Sequence, residues 1–462
     1  MSTVDLARLQ FASTSIYHFL FVPLTIGLAL VTAFLQTRWH RTDEPEYLRL
    51  TRFFGTLLVI NVAVGVVTGL VQEFQFGMNW SGYSRFVGDV FGAPLAMEGL
   101  AAFFLESTFL ALWVFGWNRL SRRVHLATIW AAAVGGVLSA AFIMAANSWM
   151  QHPVGYEINS AGRAQLTSIG AVLTNPVFLR SFVHVLLASV ITAAVVMLGI
   201  SAWHLRRRSH APAFDRSARI ALAVVVPATM LNLLVGSELG VTEGRYQPMK
   251  IAAAEAQWET CQPCSFSLFQ IGGGNDDHDP TKIIEVPHLL SLLATNSWNG
   301  EVVGMDELQA QYEQQYGPGD YVPNVFVQYW SMRVMAYLGS LVLLIGLWGL
   351  WRRKRLATSR WFLRVALWTI PLPFLINTAG WVLTENGRQP WIVQGLQKTA
   401  DANSPSVGTT TVVVSLIVFV LLYGLLAVVD WGLMTRFARR ELADEPAPAE
   451  SREEAPEPAP TY

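Results

Sequence analysis

The sequence has little charge. Asp, Glu, Lys and Arg together make up 14% of its 462 residues, whereas an average soluble domain carries about 25%. Net charge is also nearly absent, since 32 basic residues face 33 acidic ones. Hydrophobic residues reach 52%, and 17 tryptophans contribute to an aromatic share of 12%. These figures argue against a soluble fold, a disordered protein and a nucleic-acid-binding protein.

Cysteine is nearly absent as well, and the two residues present are Cys261 and Cys264. A zinc site with four cysteine ligands is excluded, because it would need two more thiols. A local disulfide is the simpler interpretation in an oxidising compartment. A redox-active CxxC motif is the alternative, although no thioredoxin-like βαβ pattern surrounds it.

Long apolar runs, in contrast, are abundant. Runs of about 20 apolar residues are typical of transmembrane helices. The segment Met1–Ser13 lacks the basic residues and the cleavage site of a secretory signal, so the first run is expected to be retained. The sequence predicts an all-α, polytopic membrane protein with nine transmembrane helices: Ser15–Leu35, Phe53–Val71, Gly92–Trp117, His125–Asn147, Ser181–Trp203, Ile220–Leu239, Tyr329–Leu350, Trp361–Thr384 and Thr409–Met434.

The distribution of Lys and Arg predicts the orientation. Loops on the two sides hold 22 and 10 of the 32 basic residues, and the richer side is expected to be cytoplasmic. The N-terminus is then outside and the C-terminus cytoplasmic. Residues 1–239 hold six helices, 240–328 form a long extracytoplasmic loop, and 329–442 hold three helices. If structureless, such a loop is expected to be functional or mobile, and the Pro-, Ala- and Glu-rich tail at 443–462 is predicted to be disordered and cytoplasmic.

Two histidines lie clearly within predicted spans. His18 and His184 are each about one turn from the outer end of their helix, where ionisable side chains are costly and usually functional. A hydrogen bond between helices would explain a single buried histidine. Two at the same depth favour ligands of a metal or a heme.

Three glutamates follow the same pattern. Glu98 lies near the outer end of the third predicted span, and Glu106 lies eight residues deeper. This spacing is about 12 Å along a helix, and both can face one interior channel. Glu385 ends the eighth span, between Trp381 and Arg388. A simple salt bridge between Glu385 and Arg388 is the alternative to a cofactor site there.

Met335 lies in the seventh predicted span, level with His184, and follows Arg333 by two residues. Most methionines in membrane helices only fill the core. However, His and Met form a known axial pair of low-spin heme, and Arg can bind an anionic heme propionate. Alternating orientation would place five candidates from five spans in the outer leaflet: His18, Glu98, His184, Met335 and Glu385.

Four stretches of sequence then become informative: GVVTGLVQEFQFGMNW (65–80), MEGLAAFFLES (97–107), NSWMQHPVG (147–155) and WVLTENGRQPW (381–391). With these stretches, and over nearly its whole length, the chain resembles subunit I of the cytochrome bd quinol oxidases. The GRQPW sequence is the most specific part of the resemblance.

The resemblance implies a quinol:oxygen oxidoreductase of the bacterial plasma membrane. Such an enzyme oxidises membrane quinol, menaquinol or ubiquinol, at the outer face. It reduces O₂ to water with protons from the cytoplasm and so contributes to the proton motive force. The resemblance further implies a low-spin heme b, a high-spin heme b and heme d. It also implies a second large membrane subunit and allows a small single-span subunit.

The resemblance also implies roles for individual residues. His184 and Met335 match the axial ligands of the low-spin heme b. We favour His18, with Glu98 beside it, at heme d and Glu385 at the high-spin heme b, although this order has been assigned both ways in the family. Arg333 and Arg388 match groups that bind heme propionates. Trp381 matches a packing residue, and Glu106 matches part of a proton path.

The loop at 240–328 resembles the quinol-binding loop of the family, in its shorter form. Its opening, GRYQPMKIAAAEA, contains Lys250 and Glu255, which match residues implicated in quinol oxidation. A carboxylate can accept a quinol proton, and a lysine can hold the developing anion. The alternative is a solvated Lys–Glu pair, although a spacing of five residues does not favour contact on a helix.

Three other functions are considered. A quinol oxidase subunit of the heme-d-less, cyanide-insensitive type would share the ligands. A proton-coupled secondary transporter would have internal repeats and broken helices, and the sequence predicts neither. A membrane anchor that carries heme without reducing O₂ would not need three intramembrane glutamates together: Glu98, Glu106 and Glu385.

Overall fold

The computed structural model describes residues 2–442, and the tail predicted to be disordered, 443–462, lies outside the described residues. Nine helical spans of the described chain are long and apolar enough to cross a membrane, one at each predicted position. We number them in chain order as the first to ninth spans: Thr3–Thr42, Pro45–Met78, Ser81–Phe115, Arg122–Gln151, Pro176–Arg207, Ala211–Tyr246, Val325–Trp351, Arg360–Asn386 and Thr409–Ala438.

The spans are longer than the apolar runs, because polar residues continue the helices. The first span begins at Thr3, where the side chains of Ser2 and Asp5 each accept a hydrogen bond from the other's backbone N–H, as in a capping box. His18 therefore lies about four turns from the beginning of its helix, not one. His184 and Met335 lie about two and three turns into their helices.

Two spans are interrupted, which the sequence did not predict. The third consists of Ser81–Met97, Glu98–Phe103 and Phe104–Phe115, and its middle segment is π-helical. The eighth is divided into Arg360–Trp368 and Leu372–Asn386. Single π-helical turns are frequent at functional sites, because the wider turn changes the direction of the side chains around it.

The long loop is folded and is not a structureless segment. It covers 247–324, because the helices on either side extend further into it than predicted. Cys261 and Cys264 form the expected disulfide, and Gly272 and Gly273, both with φ of 76°, begin the turn of a hairpin. The loop contains the helices Pro248–Ala254, Leu289–Thr295 and Met305–Tyr316 and the antiparallel strands Phe266–Ile271 and Thr281–Val286.

Shorter elements occupy other connections. Between the fourth and fifth spans lie paired strands and a helix: Tyr156–Ile158, Ala164–Leu166 and Ile169–Leu173. The 3₁₀ helix Arg353–Thr358 follows the seventh span. After the eighth span lie a third strand pair, Trp391–Val393 with Gln397–Lys398, and the 3₁₀ helix Thr399–Asp401.

Close helix contacts hold the spans together, and an aromatic cluster holds the loop against them. A Cβ on Gly27 of the first span would lie 2.2 Å from the carbonyl oxygen of Ser189 in the fifth, and such small residues let membrane helices approach closely. The loop is fixed to the seventh span by a buried cluster that includes Trp258, Tyr321 and Tyr329.

Candidate active site

His18 lies against the second span. Its Nδ1 is 2.9 Å from Oγ1 of Thr68, and a Cβ on Gly69 would lie 3.1 Å from the ring carbon Cε1. The contact with Thr68 engages Nδ1 and leaves Nε2 as the nitrogen that could coordinate a metal. The glycine supplies the space that the ring occupies.

His184 and Met335 also lie against glycines of neighbouring spans. A Cβ on Gly236 would lie 3.1 Å from Cε1 of His184, and a Cβ on Gly380 would lie 3.1 Å from Sδ of Met335. Nδ1 of His184 is buried, and the ring lies near the backbone of Asn232. Imidazole and thioether side chains in such cradles have the donor chemistry of axial heme ligands, and the residues fit the cofactor that the sequence predicts.

Glu98 and Glu106 both face the fourth span. Oε1 of Glu98, at the start of the π-helical segment, accepts a hydrogen bond of 2.6 Å from the Ser139 hydroxyl. A Cβ on Gly136 would lie 3.4 Å from the carboxylate oxygens of Glu106, and a Cβ on Gly135 would lie 2.6 Å from the backbone nitrogen of Glu106. The two carboxylates are therefore presented to one neighbouring helix, in line with their predicted common face.

Glu385 lies at the end of the eighth span, as predicted. Its carboxylate forms an ion pair with Arg388 and accepts a hydrogen bond of 2.8 Å from Nδ2 of Asn147. The salt bridge considered as an alternative is thus present. However, the buried Nε and Nη1 of Arg388 have no partner among the described residues, so donors remain for an anionic group. Trp381 stacks on Phe19, the neighbour of His18 in sequence, at 5.1 Å between ring centroids.

Lys250 is buried in the loop, with 1% of its side chain exposed. Its Nζ donates a hydrogen bond of 2.6 Å to Oε1 of Gln151 and lies 3.2 Å from Oε1 of Glu243. Burial lowers the pKa of Lys250, and the charge of Glu243 opposes this shift. The solvated Lys250–Glu255 pair considered as an alternative is wrong, because both side chains are buried and each has another partner.

Glu255 forms a buried two-point ion pair with Arg333 of the seventh span. The distances are 3.2 Å from Nη1 to Oε1 and 2.7 Å from Nη2 to Oε2. Burial raises the pKa of Glu255, and the charge of Arg333 opposes this shift. Arg333 also donates to the carbonyl oxygens of Ala254 and Ser267 and lies 3.7 Å from the ring centroid of Tyr329.

These contacts bear on the expected role of Arg333. Its two terminal nitrogens donate to four acceptors, all of them in the loop. The third nitrogen of its guanidinium, Nε, has no hydrogen-bond partner among the described residues. A contact between Arg333 and a heme propionate therefore stays a prediction, whereas its contact with Glu255 was not foreseen.

Several residues of the site were missed from the sequence. Asn147 and Gln151 contact Glu385 and Lys250, and they are four residues apart in the NSWMQHPVG stretch. Two amides one turn apart at the end of an apolar run are a signal that could have revealed them. The partners of His18 and Glu98, namely Thr68 and Ser139, are ordinary hydroxyl residues of membrane helices and carry no such signal.

Fold and site together define a class of protein. Nine spans enclose histidine, methionine and glutamate side chains, and a folded loop places a buried lysine and a buried glutamate beside them. This arrangement is that of a heme-bearing oxidoreductase of the membrane.

Comparison with known proteins identifies the family. The family described as cytochrome bd terminal oxidase subunit I matches residues 6–442, and the chain belongs to it. The chain is 45% identical over 429 residues to cytochrome bd ubiquinol oxidase subunit 1 of Bacillus subtilis (strain 168), covering 92% of this chain and 91% of the relative. It is 37% identical to cytochrome bd-II ubiquinol oxidase subunit 1 of Escherichia coli (strain K12), covering 94% and 96%.

A solved structure supports the same conclusion. The bd oxidase from Geobacillus thermodenitrificans matches with a TM-score of 0.86 and 30% identity, over 95% of this chain and 99% of that one. The chain is accordingly a subunit of a quinol oxidase, an oxidoreductase of the respiratory chain and a multi-pass protein of the bacterial plasma membrane. Family membership implies heme cofactors and contradicts the interpretation as a secondary transporter.

Proposed function

We propose that this subunit oxidises a membrane quinol, menaquinol or ubiquinol, at the outer face and reduces O₂ to water with cytoplasmic protons. The orientation that follows from its basic loops has the N-terminus outside and the C-terminus in the cytoplasm. One observation carries the proposal. The buried ion pair of Glu255 and Arg333 joins the loop to the seventh span two residues before Met335, so the proposed quinol site lies within one helical turn of a proposed heme ligand.

We assign a heme to each group of candidate ligands. His184 and Met335 would hold the low-spin heme b, His18 with Glu98 nearby would hold heme d, and Glu385 would hold the high-spin heme b. The cradles at Gly69, Gly236 and Gly380 and the unpartnered donors of Arg388 support these assignments. When bound, the hemes supply electron transfer and the reduction of O₂.

The loop residues handle the quinol and its protons. Glu255 accepts a proton from the quinol hydroxyl, and its raised pKa makes the carboxylate a better base than an exposed one. Arg333 holds both oxygens of that carboxylate in position. Lys250 stabilises the negative charge that develops on the quinol oxygen, in a site where burial excludes competing water.

Glu106 and Glu98 form the proton path of the proposal. Both carboxylates face the fourth span, and the Ser139 hydroxyl is bonded to Glu98. A proton from the cytoplasmic side is held first at Glu106 and then at Glu98, the carboxylate assigned to the heme d site. The working enzyme contains a second large membrane subunit, and a small single-span subunit is compatible with it.

Replacement of Lys250 tests the proposed quinol site. Lys250→Met keeps most of the length of the side chain and removes its charge, so quinol-dependent O₂ consumption should fall about a hundredfold. Consumption driven by an artificial one-electron donor, which bypasses quinol, should stay near the wild-type rate. Lys354→Met changes an exposed lysine outside the loop, in the 3₁₀ helix Arg353–Thr358, and should leave both rates unchanged. Equal losses of both activities in Lys250→Met would contradict a quinol-specific role.

A further inference from the structure

Four polar side chains form a continuous hydrogen-bonded line from the long loop to the end of the eighth span. Nζ of Lys250 donates to Oε1 of Gln151 at 2.6 Å. Nε2 of Gln151 donates to Oδ1 of Asn147 at 2.8 Å. Nδ2 of Asn147 donates to Oε1 of Glu385 at 2.8 Å. The fourth span thus supplies two amides that connect residues from two other elements.

The middle of the line is shielded from solvent. Gln151 is 1% exposed and Asn147 is 9% exposed, and they are stacked one turn apart on the same face of their helix. The ends carry opposite charges with their own partners, Glu243 beside Lys250 and Arg388 beside Glu385. Hydrogen bonds are electrostatically stronger in such surroundings than in water.

The chemistry of the ends fixes the direction of every bond in the line. An ammonium group can only donate, and an ionised carboxylate can only accept. Gln151 must therefore present its oxygen to Lys250, and Asn147 must present its nitrogen to Glu385. Both amide dipoles then point the same way, from the cation to the anion, and hydrogen bonds aligned in this manner polarise one another.

We propose that Asn147 and Gln151 are positioning residues that couple the charge of Lys250 to the carboxylate of Glu385. The inference rests on the proposed function, in which Lys250 faces quinol and Glu385 is a heme ligand. The line transmits orientation and polarisation and carries no proton, because carboxamides do not readily release one. Coupling of this kind is reciprocal, so a change at either end is felt at the other.

Substitutions in the middle of the line provide the test, in the assembled oxidase complex. Gln151→Met and Asn147→Leu keep the approximate shape and remove the polar atoms. Gln151→Glu is a second variant that can accept from Lys250 but, when ionised, offers Asn147 no donor. The matched control is Ser148→Ala, because Ser148 is buried in the same span and bonds to Ser181 at 3.2 Å, outside the line.

Two measurements report on the two ends of the line, the KM for quinol at Lys250 and a heme midpoint potential at Glu385. For each line variant, the KM for quinol should rise about fivefold or more, while Ser148→Ala keeps the wild-type KM. A redox titration should show a lower midpoint potential for the heme whose bands are lost in Glu385→Ala. Combining Gln151→Met with Lys250→Met should lower this potential no further than Lys250→Met does, because both changes break the same line.

Two results would overturn the inference. The first is that the line variants match Ser148→Ala in both KM and midpoint potential. The second is that the shifts in midpoint potential of Gln151→Met and Lys250→Met add fully when the two substitutions are combined. A different result would count against the proposed function alone, namely Glu385→Ala with every heme band intact. In that case the KM comparison between the line variants and Ser148→Ala still decides whether the two amides are coupled to Lys250.

Discussion

Arg333 is the residue that joins the loop to the membrane part of the site. Its guanidinium is almost fully buried and donates to four loop acceptors, two of them oxygens of Glu255. Removing one partner of such a buried pair leaves an uncompensated charge and typically costs about 3–5 kcal/mol. Arg333 therefore governs both the position and the charge state of Glu255.

The charge of Arg333 should set the acid limit of quinol oxidation. Glu255 can accept a proton only when it is ionised, so turnover falls as the pH drops through its pKa. Burial raises this pKa and Arg333 opposes the rise. In Arg333→Gln the opposition is lost, the pKa of Glu255 rises further, and the acid limb of the pH–rate profile should move to higher pH.

Arg333→Lys serves as the charge-conserving control for this pH shift. It keeps a cation beside Glu255, so its acid limb should lie closer to that of wild type than the limb of Arg333→Gln does. The profile with an artificial one-electron donor should be the same in all three proteins. An acid limb that stays in place in Arg333→Gln would contradict the role of Glu255 as the proton acceptor.

Met335 should be needed for one heme only. Met335→Leu removes the sulfur that faces Gly380, so the low-spin heme should be lost or become high-spin in the reduced absorption spectrum. Met332→Leu is the matched control, because Met332 lies in the same span and is also partly exposed, and its spectrum should equal that of wild type. An unchanged spectrum in Met335→Leu would remove this residue from the ligand assignment.

Individual site residues were predictable from the sequence more readily than their partners. Lys250 and Glu255 could be identified from the resemblance of the loop. Their contacts with Gln151 and Arg333 span 99 and 78 positions of the chain, and no local pattern encodes such separations. Contacts of this kind depend on how the spans pack, which the pattern of apolar runs does not specify.

At the scale of elements, the contact between the third and fourth spans determines where two carboxylates lie. Gly135 allows the backbones to approach, since a Cβ there would lie 2.6 Å from the Glu106 nitrogen and 3.0 Å from the Ala102 carbonyl oxygen. The π-helical segment that starts at Glu98 lies in the same contact region. Proton delivery should therefore be sensitive to the spacing of these two helices.

Gly135→Ala should separate the third and fourth spans at Glu106. Overpacking of a well-packed contact typically costs about 1–3 kcal/mol of stability. The displaced carboxylate should in addition slow O₂ reduction about tenfold, which corresponds to an activation barrier higher by about 1.4 kcal/mol. The low-spin heme bands should persist, because His184 and Met335 belong to other spans. O₂ consumption and the reduced spectrum measure the two effects.

Gly88→Ala is the control for this packing effect. Gly88 lies in the third span as well, and nothing lies within 4 Å of the position of its Cβ. This variant should therefore behave like wild type. Wild-type O₂ consumption in Gly135→Ala would show that the close helix contact is not required for proton delivery.

The apolar runs predicted the existence of every span but not the ends or the interruptions. The first helix continues to Thr3 because its polar first turn is capped by Ser2, and hydropathy does not register a cap. The break before Leu372 coincides with Pro371 and Pro373, and the π-helical segment at Glu98 follows Pro94. Proline inside a helix removes a backbone hydrogen bond and interrupts it. Hydropathy does not register these prolines, so the expectation of unbroken spans was wrong.

At the scale of the whole molecule, the few charged residues fall into two groups. Most basic side chains lie in loops or near the ends of the spans, and their uneven division predicts the orientation in the membrane. A small number of charged groups are instead buried or half-buried in or beside the spans and belong to the proposed site: Glu98, Glu106, Lys250, Glu255, Arg333, Glu385 and Arg388. Family membership settles the class of enzyme, whereas the identity of each heme belongs to the proposal.

The absorption spectrum of the purified wild-type complex, reduced minus oxidised, tests the heme assignment most directly. The proposal predicts bands of a low-spin heme b and a high-spin heme b, together with a red-shifted chlorin band from heme d. Bands of b hemes without the chlorin band would contradict the assignment and favour the heme-d-less type of quinol oxidase. A low-spin heme b alone would contradict O₂ reduction at this subunit and favour a membrane anchor that only passes electrons.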